Sequence, residues 1–294
     1  MSALRSLVAS ARNKLRAGLI SRMSSNEPRL QPWPSAISAS DKTSWQRVCN
    51  VCGWHGADFA GPPHSEMANC PNCGSIARDR FLYWCWTTRT SYRRDQRVLE
   101  TSPRMDERYR ARMASLVAYT ASDYDESAHK AMIRLDLQDL ALPDSSVDVV
   151  LTPHVLEHVP DTGKALSGLF RILAPGGSVM LMIPMPQGIT APPKEPEYHG
   201  DNTLVFWRFG WDIREQIIAA GFDVECLVTQ PLIDRIRSGN LDTGWTGPDI
   251  DEVDLLKHAD PDSMTAVAVE RDSRRYGFEP DLHFVVWHCR KPTA

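Results

Sequence analysis

Two Cys-x-x-Cys pairs, Cys49/Cys52 and Cys70/Cys73, are separated by 17 residues, and each is followed by a glycine, Gly53 and Gly74. A Cys-x-x-Cys turn aims two sulfurs at one point and glycine permits the turn. Two such knuckles supply the four thiolates of a tetrahedral zinc site. A closed four-sulfur site leaves no position for substrate, so its expected role is structural. Thiol–disulfide exchange is the competing chemistry of a Cys-x-x-Cys, and two matched knuckles weigh against it. His55 and His64 share this segment and read as loop residues. Cys85, Cys226 and Cys289 stand beside apolar stretches and read as core positions.

A second group is His154-x-x-Glu157-His158. On a helix, spacings of three and four residues put all three side chains on one face, and His199 offers a further ligand. The four could grip a divalent ion, with zinc, manganese or iron better suited than magnesium. An ion there would lower the pKa of an acceptor oxygen and hold it in line for group transfer. Without an ion, His154 or His199 is the candidate general base. Tyr198, Trp207 and Arg208 follow closely and would line the same pocket, Arg208 as an anchor for an anionic substrate.

The elements that position these groups alternate between short apolar strands and amphipathic helices from Gln96 to Val228, the pattern of a parallel sheet covered on both faces. The predicted strands are Arg97–Thr101, Leu116–Ala121, Met132–Leu135, Val147–Thr152, Ser178–Ile183, Asp223–Val228 and Leu282–Cys289. The segment Gln230–Glu279 stands as an insertion, acidic between Asp249 and Asp262, and is expected to be a solvated surface element. Ser24–Ser44 has linker composition. Met1–Ser25 carries Arg5, Arg12, Lys14, Arg16 and Arg22 with no acid, and its leucines recur at helical spacing. Such a basic amphipathic helix could rest on an anionic membrane surface or serve as a transit peptide. The expected organisation is therefore a helix and linker over 1–44, a zinc module over 45–90, and a catalytic domain over 91–294 with its insertion at 230–279.

Composition narrows the partners. The chain has 294 residues, a formal net charge of -4 and 42% hydrophobic residues. No apolar run approaches the roughly 18–20 residues that span a bilayer, so an integral membrane protein is not expected. The acidic balance weighs against a nucleic-acid partner. The cysteine pattern suits metal-bound thiolates in a reducing, cytoplasmic compartment, with peripheral membrane contact through the N-terminal helix.

The stretch from Asp148 to Met185, with its apolar strands and Leu173-Ala174-Pro175-Gly176-Gly177 step, resembles the second half of a class I S-adenosylmethionine-dependent methyltransferase. The resemblance implies an α/β, Rossmann-like, seven-stranded sheet whose last two strands form an antiparallel hairpin, here preceded by a small zinc-ribbon module. It implies cofactor-binding roles for Glu100 near the methionine amino group, Ser102 in the following turn, Asp123 at the ribose hydroxyls, Asp136 and Leu137 at adenine, and Thr152. Ser102 and Arg104 stand where the family commonly has glycines, a departure from its turn. His154-x-x-Glu157-His158 is similar to the Glu-x-x-Glu-His of metal-assisted small-RNA 2′-O-methyltransferases and ubiquinone-pathway O-methyltransferases, although Leu-Glu-His-Val also occurs in class I enzymes that use no metal. The implied function is O-methylation of a small molecule, sugar or lipid-linked glycan. The alternatives are an RNA methyltransferase and a non-catalytic binding protein that has lost the cofactor.

Overall fold

The computed structural model describes residues 47–61, 67–103, 107–125, 131–199, 202–239, 251–278 and 284–293. The basic segment and linker expected over 1–44, together with His64 and Arg104, lie outside the described residues. The described residues all belong to one compact unit. Within it the first elements are a two-stranded antiparallel ribbon, β1 (Arg47–Val48) and β2 (His55–Gly56), followed by helix α1 (Ala77–Arg89).

The main sheet comprises β3 (Arg97–Thr101), β4 (Ala118–Asp123), β5 (Ile133–Arg134), β6 (Val147–Pro153), β7 (Leu173–Met182), β10 (Asp223–Thr229), β11 (Met264–Ala268) and β12 (Val286–Arg290). Their spatial order is β11-β10-β12-β7-β6-β3-β4-β5. The strands from β7 to β5 run parallel, whereas β12 is antiparallel to both β7 and β10. The chain winds outward from β3 through β4 to β5, then returns to β6 on the other side of β3. Strand order therefore reverses between β3 and β6, and an open α/β sheet binds ligands in the crevice beyond the strand carboxyl ends at such a point.

Buried apolar runs explain the central strands: Val149, Val150 and Leu151 of β6 and Val179, Met180 and Leu181 of β7 are almost fully enclosed. Helix α2 (Glu107–Leu116) joins β3 to β4, and helix α3 (Thr162–Ile172) joins β6 to β7. Helix α3 starts where the Asp161 side chain accepts a hydrogen bond from the Lys164 amide at 3.0 Å. It buries Ala165, Leu166, Leu169 and Ile172, one helical stripe, in the core that β6 and β7 share. At about 1.5–3 kcal/mol per enclosed aliphatic side chain, this stripe anchors the central crossover.

An eighth strand extends the seven expected. β11 pairs parallel with β10 at the sheet edge, and it comes from the segment read as a solvated insertion. That segment also contains α5 (Gln230–Ser238), α6 (Glu252–His258) and α7 (Glu270–Tyr276), which follow α4 (Ile213–Ala219) in the chain. It buries Leu255, Ala268, Tyr276 and Phe278, so it is part of the core. Trp84 of α1 donates its indole N–H to the Val267 carbonyl at 2.8 Å and lies against Tyr276 with ring centroids 4.7 Å apart. Phe81 meets Phe278 edge-on at 5.3 Å. The cause is aromatic burial: α1 presents Phe81 and Trp84 on a face that the sheet alone leaves uncovered.

Candidate functional site

The four knuckle cysteines converge. Cys49 Sγ lies 3.6 Å from Cys73 Sγ, Cys52 Sγ lies 3.6 Å from Cys70 Sγ, and all four sulfurs lie within 4.8 Å of one another. Tetrahedral zinc with bonds of about 2.3 Å sets its sulfurs about 3.8 Å apart, so the cluster has the size such an ion requires. Gly53 and Gly74 follow the knuckles at φ of 76° and 77°, a region that a side chain would strain. Burial pushes the Cys49 thiol well above its ordinary value. Cys85, Cys226 and Cys289 are buried core thiols, and burial raises the Cys226 thiol to about 12.

At the carboxyl end of β6 the backbone leaves the sheet through His154, which has a φ of 50° and donates its amide to the Met182 carbonyl at 2.8 Å. The helix expected from the His154/Glu157/His158 spacing is a single 3-10 turn, Leu156–His158. A 3-10 turn has about three residues per turn, so the face that an α-helix would give these residues does not form. His154 Nδ1 lies 3.3 Å from Arg78 Nη1 of α1. A guanidinium only donates, so Nδ1 accepts and the neutral ring carries its proton on Nε2.

His158 differs. Its Nδ1 lies 2.8 Å from the Leu204 carbonyl, which only accepts, so Nδ1 carries a proton and Nε2 is the nitrogen turned toward Glu157. That Nε2 lies 3.8 Å from Glu157 Oε1. His199 reaches the same place from the end of β8 (Glu197–Tyr198), which pairs antiparallel with β9 (Leu204–Val205), and its ring meets His158 edge-on at 4.6 Å. Glu157, His158 and His199 each offer a ligand atom within 4.8 Å of the others. A carboxylate facing imidazole nitrogens is a donor set that can hold a cation or a proton. Among the described residues His154 is not part of that set; it stands beside it, 4.0 Å from Glu157 Oε1, at Arg78.

The residues expected around the cofactor lie at or just beyond the ends of β3, β4, β5 and β6. Glu100 is buried, and its two carboxylate oxygens accept from Tyr109 at 3.0 Å and Tyr119 at 2.6 Å. Burial, outweighing those bonds, pushes its carboxyl up to about 8. Ser102 adopts φ 47° and donates its amide to the Ser122 carbonyl, so the turn keeps a left-handed residue although it is not glycine. Asp123 ends β4 and accepts from the Asp125 amide at 3.0 Å. Asp136 accepts from the Gln138 amide at 2.8 Å, and Leu137 is buried beside it. The Thr101 and Thr152 hydroxyls, at the ends of the adjacent strands β3 and β6, are buried with no hydrogen-bond partner among the described residues.

Tyr198 is largely exposed, Trp207 donates its indole N–H to the Pro160 carbonyl at 3.1 Å, and Arg208 is paired with Glu197 at 2.8 Å. Two contributors carry no signal in spacing. Arg78 comes from Ser75-Ile-Ala-Arg78-Asp-Arg80, directly after the second knuckle, and the Leu204 carbonyl belongs to a hairpin strand with no motif of its own. Among the described residues no helix is long and apolar enough to cross a membrane.

Residues 97–181 match a family model described as a methyltransferase domain. Over 113 residues the chain is 34% identical to a protein of Mycolicibacterium smegmatis named "Probable S-adenosylmethionine-dependent methyltransferase", covering 35% of this chain and 42% of that one. A protein of Mycobacterium tuberculosis with the same description is 37% identical over 82 residues, 25% of this chain and 29% of its own. The chain thus spans less than half the length of these curated relatives. Among solved structures, an S-adenosylmethionine-dependent methyltransferase from Mesorhizobium loti aligns over 73% of this chain and 98% of its own, at 15% identity and a TM-score of 0.45. The stretch that builds β3 to β7 and the crevice between β3 and β6 is thus the part of the chain that matches a methyltransferase domain.

Proposed function

We propose that this chain is an S-adenosylmethionine-dependent O-methyltransferase acting on a hydroxyl of a small molecule, sugar or lipid-linked glycan, with a structural zinc at Cys49, Cys52, Cys70 and Cys73. The observation that carries the choice of a hydroxyl acceptor is the convergence of Glu157, His158 and His199 within 4.8 Å beside the crevice. S-adenosylmethionine, when bound, supplies an electrophilic methyl group on a sulfonium, and S-adenosylhomocysteine leaves. The Thr101 and Thr152 hydroxyls and the acids Asp123 and Asp136 are the polar groups that such a ligand would meet at the strand ends.

Two versions of the acceptor chemistry follow from the same geometry. A divalent ion held by Glu157, His158 and His199 would supply Lewis-acid polarisation of the acceptor. With no ion, the Nε2 of a neutral His158 takes the hydroxyl proton while the Glu157 carboxylate stabilises the imidazolium formed. In both, the Leu204 carbonyl holds the imidazole in the required tautomer, the role of an outer partner to a metal-bound or basic histidine. The net charge of -4 weighs against RNA as acceptor.

Calorimetric titration of the full chain with S-adenosylmethionine and S-adenosylhomocysteine is the first test, and saturable binding of both is expected. No binding of either at about millimolar concentration, a Kd weaker than roughly -4 kcal/mol of binding free energy, would leave a non-catalytic binding protein instead. Elemental analysis then separates the two versions. Zinc beyond one ion per chain, or manganese or iron, supports the metal-assisted form, and activity that survives complete depletion of that second ion supports His158 as base.

A further inference from the structure

Arg80 of α1 is fully buried, yet its guanidinium bonds only to backbone carbonyls. Nε donates to Tyr276 at 2.8 Å, Nη1 to Ser75 at 2.6 Å and to Ala68 at 3.1 Å, and Nη2 to Ala68 at 3.1 Å. The Phe59 ring lies 3.6 Å from the guanidinium carbon. Among the described residues no carboxylate lies within ion-pair reach of it. A buried cation left without an anion is strongly destabilising, so charge must be supplied from nearby.

The cysteine cluster stands close enough to supply it together with Asp79. Ser75, whose carbonyl binds Arg80, lies two residues beyond Cys73, and its hydroxyl is 3.3 Å from Cys49 Sγ and 3.2 Å from Cys73 Sγ. Burial works against the Arg80 charge, and Cys49, Asp79, Cys70 and Cys73 act electrostatically in the sense that favours it. Four thiolates around one zinc carry a formal net charge of about -2, which burial likewise penalises and a neighbouring cation offsets.

The far end of the same guanidinium holds the insertion. Tyr276, whose carbonyl it binds, ends α7, and Gly277 caps that helix at φ 71°. A Cβ at Gly277 would fall 2.7 Å from Phe59 and 2.8 Å from Arg80 Nη2. The helix end is therefore pressed directly onto the Arg80/Phe59 pair. Asn50, inside the first knuckle, donates to the Arg80 carbonyl at 2.8 Å, and Arg47 donates to the Arg274 carbonyl.

We propose that Arg80 is the counter-cation of a zinc centre at Cys49, Cys52, Cys70 and Cys73, and the strut through which that centre fixes the 264–278 segment against α1. This rests on the zinc reading above. The zinc module then serves to lock the edge strand β11 and helix α7 onto the domain, in addition to closing its own loops.

The test uses the full chain expressed with ample zinc. Zinc content is measured by elemental analysis, affinity by competition with a chromogenic chelator, and protection of 264–278 by hydrogen–deuterium exchange before and after chelation. The wild type should hold zinc at the cysteines, and Arg80→Met, which keeps length and bulk but removes charge, should weaken zinc binding about tenfold or more, the scale of a lost outer-shell partner. Chelation of the wild type should speed exchange in 264–278 while leaving β6 and β7 protected. Zinc affinity of Arg80→Met within about twofold of wild type would overturn the counter-cation role, and unchanged exchange of 264–278 after complete zinc removal would overturn the strut. If Arg80→Met does not fold, chelation of the wild type decides the strut, and Arg80→Lys, which keeps the charge, decides the counter-cation role: affinity close to wild type supports it, and a loss of tenfold or more overturns it. Wild-type protein that binds no zinc at all overturns the zinc reading itself, an outcome distinguishable from the other two.

Discussion

His158 Nδ1 lies 2.8 Å from the Leu204 carbonyl, and this contact decides which nitrogen of the ring faces Glu157. A carbonyl cannot donate, so Nδ1 carries a proton and Nε2 is the nitrogen on the Glu157 side. His154, four residues earlier, carries its proton on the opposite nitrogen because Arg78 occupies Nδ1. Two histidines that look interchangeable in sequence are chemically distinct.

His158→Ala should therefore lower methyl transfer by about a hundredfold or more, the usual contribution of a positioned base or of an acceptor-holding ligand. Affinity for S-adenosylhomocysteine should stay within about threefold, since His158 faces the β8–β9 hairpin. Single-turnover rates with a responsive acceptor, paired with calorimetry, check both; an unchanged rate removes His158 from the site.

Glu100 makes stability depend on pH. Its folded-state carboxyl is pushed up to about 8, chiefly by burial. The folded protein therefore binds this proton more tightly than the unfolded chain. The stability it contributes is fully present below the unfolded value of about 4.3 and is lost as pH rises through about 8. Glu100→Gln should flatten that slope, worth on the order of 3–5 kcal/mol between about pH 4 and pH 9. Urea unfolding at several pH values would reveal it, and parallel slopes for wild type and variant would contradict it.

Gly277→Ala should cost about 2–4 kcal/mol, combining a left-handed backbone with collision against Phe59 and Arg80. Gly239 offers the control, because it has nearly the same φ, 70°, and a Cβ added there would meet nothing within 4 Å. Gly239→Ala should cost only about 1 kcal/mol. Equal losses in thermal unfolding would mean that the contact with Arg80 carries no weight.

Thr152→Val removes a buried hydroxyl that has no partner among the described residues. The shape is kept, so stability should stay level or rise by up to about 1 kcal/mol. If that hydroxyl meets the cofactor, affinity for S-adenosylhomocysteine should fall about three- to tenfold, the loss of one hydrogen bond. Unchanged affinity would take Thr152 out of the binding site.

The fold is legible in the sequence where local pattern and tertiary role coincide. β3 has the predicted bounds, Arg97–Thr101, and the Pro-Gly-Gly step lies in the first residues of β7, because buried parallel strands are continuous apolar runs bounded by turn residues. The eighth strand, Met264–Ala268, is not legible in this way. Its five residues are mostly half-exposed, and only pairing with β10 makes them a strand. The insertion looks solvated because its acids dominate the composition, whereas its burial comes from Tyr276 and Phe278 meeting an α1 face far away in sequence.

By itself the sequence determined the donor chemistry and the order of most strands along the chain. Cysteine pairs two residues apart bring their own sulfurs together, and a parallel α/β pattern leaves its ligand crevice at the strand ends. Only the tertiary structure decided which donors meet. It set His199 against His158 through the β8–β9 hairpin, turned His154 toward Arg78, and placed Arg80 between the cysteines and Tyr276. The physical reason is range: spacing dictates contacts within a turn, while the partner that fixes a proton or offsets a buried charge arrives from an element 46 or 196 residues away.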